Sequence, residues 1–448
     1  MAPADLITLP SEILLSICKD MCPHCSTSAS KWSDEDYKRG LRSLVQTCRR
    51  LHEIAEPVQY HDVRLGDTRG HAICFLRTLL ERPDLAAQVR WFSNIDSSSY
   101  WLLWKDIEAF GGAALRLYIN RIGGWFGMAL WNGIDWHQEL LELTLGLLPN
   151  AEKLRLEAPY WYEKGFSSLI TEFVPMESVT MLQMIPEEEY SLGVRRGLMD
   201  LGPQRDFLAM MPCLKDLKIH RYGRISEHLP LSEVCSLSLE DCCISKRSLR
   251  KIIDSCPKLE CFNYVFRDVG VVDADPFTWG QAQQMLRSRR QTLKKVNFEF
   301  GKMYLTTRDE PLEPGDYLGS FHDFEKLETL WVRTTSFGAQ DDDTTIPTFP
   351  ANVQDLISKL PGSLICLGFC GSHKNWDGIK ILAMAIREGH FPKLKTVMVE
   401  QEQTEFEESC EILAAVGVVC GFLNNELYDS FPRCLHRQYI KKSKSRRH

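Results

Sequence analysis

Between residues 151 and 399 the chain repeats one short pattern: an apolar residue, two others, an apolar residue, one other, an apolar residue. Copies stand at Val179-x-x-Leu182-x-Met184, Leu214-x-x-Leu217-x-Ile219, Val234-x-x-Leu237-x-Leu239 and Leu259-x-x-Phe262-x-Tyr264. Others are Leu293-x-x-Val296-x-Phe298, Leu327-x-x-Leu330-x-Val332, Leu364-x-x-Leu367-x-Phe369 and Leu394-x-x-Val397-x-Val399, with a weaker copy at Ala151-x-x-Leu154-x-Leu156. The last two apolar positions alternate, as a short strand with one buried face requires. Helical spacing precedes several copies: Leu249, Ile252, Ile253 and Cys256; Val353, Leu356, Ile357 and Leu360; Ile379, Leu382, Ala383 and Ile386. Pro149, Pro212, Pro257 and Pro392 each sit five residues before a central strand position. There they stop the preceding helix. The pattern predicts a right-handed strand–helix repeat.

This arrangement resembles a leucine-rich-repeat solenoid, which implies parallel strands on the inner face and helices outside. The central positions are 28, 35, 20, 25, 34, 34, 37 and 30 residues apart, more scattered than the usual period of about 20–29. Of the Asn or Cys residues that normally follow the repeat strand, only Cys242 fits. The expected fold class is therefore α/β, an irregular leucine-rich-repeat-like solenoid over residues 61–430. A doubly wound sheet is the alternative. Nine copies without a phosphate-binding glycine turn favour the solenoid. Residues between the buried strand positions, such as Lys218, Ser238, Asn263 and Trp331, are then expected on an exposed concave face. Trp331 is the expected anchor for a captured protein, with Lys218 and Asn263 beside it.

Residues 61–148 open this region. Asp62-Val63-Arg64-Leu65 and Val89-Arg90-Trp91-Phe92 read as strands, and Ile73, Leu76, Leu79 and Leu80 as a helix ending at Pro83. Seven of the eleven tryptophans (Trp91, Trp101, Trp104, Trp125, Trp131, Trp136 and Trp161) fall between 91 and 161. Filling a wide core is the stronger reading of this cluster, and a recognition surface the weaker.

Ahead of the repeats, Pro10 suits the first turn of a helix. Ile13, Leu14, Ile17 and Met21 follow at helical spacing. Ser33 with Asp36 three residues on signals a second helix through Tyr37, Leu41, Leu44, Val45 and Cys48. Leu9-Pro10-Ser11-Glu12-Ile13-Leu14, followed by Cys48-Arg49-Arg50-Leu51, resembles the F-box, in a form abundant in filamentous fungi. The resemblance covers residues 9–60 and departs from the usual pattern at the insertion Met21-Cys22-Pro23-His24-Cys25-Ser26-Thr27-Ser28. It implies that Leu9, Pro10, Ile13, Leu14, Ile17, Leu44, Val45, Cys48 and Leu51 belong to a module that binds a Skp-type adaptor and, through it, a cullin. Some of these residues face the adaptor and others hold the module together; the sequence does not divide them. The implied protein is a non-catalytic substrate receptor of a ubiquitin ligase with an unknown protein target. A binding scaffold outside ubiquitin transfer and an enzyme with divergent motifs are the competing classes.

Composition fits this picture. The 448 residues are 44% hydrophobic and 25% charged, ordinary for a globular chain with a sizeable core. A net charge of −7 argues against nucleic-acid binding. No secretory signal is legible at the N-terminus, and the apolar run Ile412–Leu423 is too short to cross a bilayer. The sixteen cysteines form no disulfide framework and read as reduced, so a cytoplasmic or nuclear location with no membrane contact is expected. The basic tail at 431–448 reads as a disordered end or an import signal.

No nucleophile elbow, dinucleotide-binding turn or phosphate loop occurs. His52-Glu53 begins like a zinc-protease helix, but Glu56 stands where the second histidine is needed. Cys22-Pro23-His24-Cys25 has the spacing of a metal pair, yet no second Cys-x-x-Cys follows. A distant Cys or His could complete it, but the segment reads as a surface loop. No metal and no cofactor are expected. Asp341-Asp342-Asp343 reads as a solvated loop.

Overall fold

The alternating apolar positions become parallel strands whose centres stack in register. The computed structural model describes residues 6–26, 34–65, 71–94, 136–158, 175–186, 199–266, 277–300, 314–333, 353–370, 377–399 and 403–422. They fall into two units, Met1–Glu233 and Val234–His448. Among the described residues no helix is long and apolar enough to cross a membrane.

In the first unit, three helices, α1 (Ser11–Asp20), α2 (Asp34–Val45) and α3 (Arg49–Gln59), precede β1 (Asp62–Leu65). After α4 (His71–Glu81) come β2 (Trp91–Asn94), β3 (Lys153–Ala158) and β4 (Met181–Pro186). Then follow β5 (Met199–Asp200), β6 (Asp216–His220) and β7 (Tyr222–Arg224). Strands β1, β2, β3, β4 and β6 pair in parallel in chain order. The short β5 and β7 pair separately. Register places Val63, Phe92, Leu154, Leu182 and Leu217 opposite one another.

The second unit repeats the arrangement with β8 (Ser236–Glu240), β9 (Cys261–Phe266), β10 (Lys295–Phe300) and β11 (Thr329–Arg333). It continues with β12 (Cys366–Cys370), β13 (Thr396–Val399) and β14 (Val419–Phe422). All pair in parallel and in chain order. Leu237, Phe262, Val296, Leu330, Leu367 and Val397 share one register line, each no more than 2% exposed. The fold is thus α/β with parallel strands, and among the described residues neither unit's paired strands depart from chain order.

Helices supply the crossovers. Lys246–Ser255 packs on Trp279–Leu286, and Asp377–Arg387 on both Val353–Lys359 and Gln403–Ala414. Successive crossover helices thus touch side by side, as connections of one hand between neighbouring parallel strands allow. Their ends are set locally. The Ser245 side chain accepts the Ser248 N–H, and Thr278 with Gln281 forms a capping box. Leu249, Ile252 and Ile253 give the first of these helices its buried stripe.

The opposite strand face corrects one expectation. Trp331 is 4% exposed and Ser238 5%, while Lys218 and Asn263 are half-buried. Trp331 therefore is not an open anchor. Its register partner on β12 is Gly368, and a Cβ there would lie 2.5 Å from the indole. The missing side chain lets the ring lie down on the neighbouring strand. Met398 covers Gly421 on β14 in the same way, with its sulfur 2.3 Å from an added Cβ.

These two pairs make a test, because an indole ring is stiff and a methionine side chain re-folds easily. Gly368→Ala should lower stability by about 1–3 kcal/mol, the usual range for overpacking. Gly421→Ala should cost markedly less. Urea-denaturation midpoints of the two variants check this ordering, and equal midpoints would refute the close-packed reading of Trp331.

Candidate functional site

The N-terminal helices separate the nine apolar positions singled out by sequence. Leu14 and Leu51 are each 1% exposed and hold the module together. Leu9, Ile17, Leu44, Val45 and Cys48 are half-buried, and Pro10 and Ile13 are exposed. Leu44 and Val45 pack partly on a small core of Cys18, Cys22, Leu41, Ala55 and Val58. Pro10 caps α1 rather than lying in its first turn, with its carbonyl accepting from Ile13 and Leu14 N–H at 3.1 Å.

The expected second helix ends at Val45, short of Cys48. Thr47 closes a tight turn on Leu44, and Cys48 is extended (φ −157°, ψ 164°), so Arg49 begins α3. The periodicity that placed Cys48 with Val45 spans that break. Arg50 then reaches back to the start of α1, donating to the Leu9 carbonyl at 2.7 Å and to Ser11 Oγ at 3.3 Å. Lys38 of α2 lies 4.0 Å from Asp62, a buried β1 carboxylate that Arg64 also holds at 2.9 Å. Charge pairing therefore links the helices to the first strand.

On the strands of the second unit a directed polar chain replaces the open face. Asn297 Nδ2 donates to Asn263 Oδ1, Asn263 Nδ2 to Ser238 Oγ at 2.7 Å, and Ser238 Oγ to Glu240 Oε1 at 3.0 Å. Asn263 is thus committed on both sides. Of the three residues expected to meet a target, Lys218 is half-buried, whereas Trp331 and Asn263 are tied into the sheet. Lys218 stands in register with Gln183, which itself meets His220 at 3.1 Å.

The segment after α1 is not a surface loop. Cys22 is 1% exposed and belongs to the helical core, because the turn that follows α1 folds back under α2 and α3. The chain leaving α3 delivers His61 to the same place. Cys25 Sγ is 3.5 Å from His24 Nδ1 and 3.2 Å from His61 Nδ1. Cys22, His24, Cys25 and His61 each offer a ligand atom, all within 4.8 Å of one another. Burial, then the neighbouring His24 and Arg90, pushes His61 down to about 4, so it is neutral. Burial pushes the Cys22 thiol up to about 12. Sequence reasoning missed His61. Its signal was its place, one residue after the end of α3 and directly before β1, where the chain must return past the turn that holds Cys22.

Trp91 is the tryptophan of the expected cluster whose surroundings are described: Arg64 lies 5.1 Å and Lys153 Nζ 5.2 Å from its ring. These are cation–π distances from the two flanking strands. Trp136 begins the helix Trp136–Gly146. Trp101, Trp104, Trp125, Trp131, Trp161, the Asp341–Asp343 run and the basic tail lie outside the described residues.

The division of the module can be measured. Leu14→Ala should cost about 2–4 kcal/mol by opening a cavity, whereas Ile13→Ala should leave thermal stability nearly unchanged. Similar losses for both would mean that Ile13 is packed in the isolated protein. In comparisons with known proteins, no family model and no curated protein matches this chain.

Proposed function

We propose that this chain is the substrate-recognition subunit of a cullin–RING (SCF-type) ubiquitin ligase. In this reading residues 1–60 are an F-box that docks on a Skp-type adaptor. The strand–helix units form an irregular leucine-rich-repeat-like solenoid that holds a target protein. The observation that supports the docking role is the apolar surface left open at the start of the module. Ile13 is 48% exposed and Leu6 39%, with exposed Pro10 and half-buried Leu9 and Ile17 on the same stretch. Arg50 holds the start of α3 against it. An apolar edge kept in water by a well-packed helix is a natural place for a partner to bury. Parallel strands in chain order support the solenoid, since each repeat touches its sequence neighbours.

The mechanism is proximity. A receptor that holds the target on one part and the adaptor on another raises the local concentration of acceptor lysines beside the charged conjugating enzyme. The chain supplies no reacting group in this scheme. It acts in the cytoplasm or nucleus, without nucleic acid or membrane. On the target side, Trp331 serves as packing, and Lys218 is a half-buried lysine of the first unit's strands.

Burying an isoleucine side chain contributes about 1.5–3 kcal/mol. Ile13→Asp in the full chain should therefore weaken binding of purified adaptor at least tenfold, with an unchanged circular dichroism spectrum. Undiminished affinity would remove the F-box reading. Recovery of adaptor together with cullin from cells supports ligase function, and adaptor without cullin would redirect it to a scaffold outside ubiquitin transfer. Lys218→Glu should reduce target retention while leaving adaptor binding intact.

A further inference from the structure

We infer that Cys22, His24, Cys25 and His61 form a structural zinc site that fastens the N-terminal helices to the first strand. The assignment does not depend on the ligase reading. Zn²⁺ favours four tetrahedral ligands at about 2.3 Å from sulfur and 2.0 Å from nitrogen. Such a tetrahedron places a sulfur and a nitrogen about 3.5 Å apart. The Cys25 sulfur stands 3.5 and 3.2 Å from the two Nδ1 atoms, and all four ligand atoms fall within 4.8 Å. A cation at the centre needs only small adjustments of side chains.

The outer contacts are those that a metal site uses. Histidine ligands are held by hydrogen bonds from their other ring nitrogen, which fix tautomer and orientation. His24 turns Nδ1 to the cluster and Nε2 to Glu152 Oε2 at 3.4 Å. Glu152 is also 3.7 Å from Arg90. The His61 ring stands edge-on to that of His24, with centroids 5.7 Å apart. The Cys25 N–H donates to the Cys22 carbonyl at 3.0 Å and the Ser26 N–H to the same oxygen at 2.8 Å, which holds the tight turn that presents both sulfurs to one place. A two-thiol, two-imidazole set suits zinc, and four protein ligands leave no open position for catalysis.

Binding is balanced as one Zn²⁺ taken up and two thiol protons released, one each from Cys22 and Cys25. Both imidazoles bind as neutral bases. The energetic consequence is local and specific. The turn after α1, the residue that joins α3 to β1 and, through Glu152, the start of β3 become one cross-linked piece.

The test uses the full-length chain, stripped with chelator under reducing conditions and then titrated with Zn²⁺ or Co²⁺ alone. The expected result is one tightly bound Zn²⁺ per chain. Co²⁺ should give the intense visible bands of a tetrahedral site together with thiolate charge transfer. Cys25→Ser and His61→Ala should lose the tight site, while Cys213→Ser, at an exposed cysteine elsewhere, should keep it. Should Cys25→Ser or His61→Ala fail to fold, the wild-type cobalt spectrum decides the matter. Glu152→Gln, at a partly exposed side chain, should weaken zinc about 10-fold or more in competition with a chelator. No stoichiometric uptake, a cobalt spectrum without thiolate bands, or unaltered zinc content in Cys25→Ser would each overturn the assignment.

Discussion

A single register line carries each unit: Phe92, Leu154, Leu182 and Leu217 in the first, and Leu237 through Val397 in the second. No four- to six-residue strand can bury its own central side chain. It depends on the strand before and the strand after, and on the crossover helix laid over both. Because side chains alternate, a slip of one residue would turn a whole strand's apolar set outward. Register is therefore enforced at each step, and loop length between strands is free to vary. Spacings from 20 to 37 residues are tolerated for that reason.

The same constraint explains what was legible in the sequence. Every copy of the apolar pattern marks a strand, and its central residue is the one that register aligns. The last strand escaped detection because Gly417 occupies the place of the first apolar residue before Cys420 and Phe422. For Trp331, alternation gives the face of the side chain and not what fills that face. Trp331 and Gly368 each follow the central residue of their copies, so alignment of copies puts them side by side. His61 and the cysteine turn meet only through the path of three helices, which linear spacing does not encode.

The helical module shows how few contacts decide its placement. Arg50 ties the beginning of α3 to the beginning of α1, and Asp62 receives Lys38 and Arg64 where the helices give way to strands. Burying that carboxylate is tolerable because two cations accompany it. In the proposed role, this joint transmits the position of the adaptor to the repeat domain, and a zinc tetrahedron beside it would stiffen the same joint.

The polar chain on the second unit's strands has a sense of travel. Asn297 gives to Asn263, Asn263 to Ser238 and Ser238 to Glu240, each member handing its hydrogen onward. A carboxylate only accepts, so Glu240 fixes the rotamer of the serine hydroxyl, and the serine in turn fixes which way both amides face. The orientation of a side chain two strands away is thereby set by one acidic group at the end. Like a row of compass needles beside a magnet, the row has one ordered state, and an uncharged amide in place of Glu240 would leave it two.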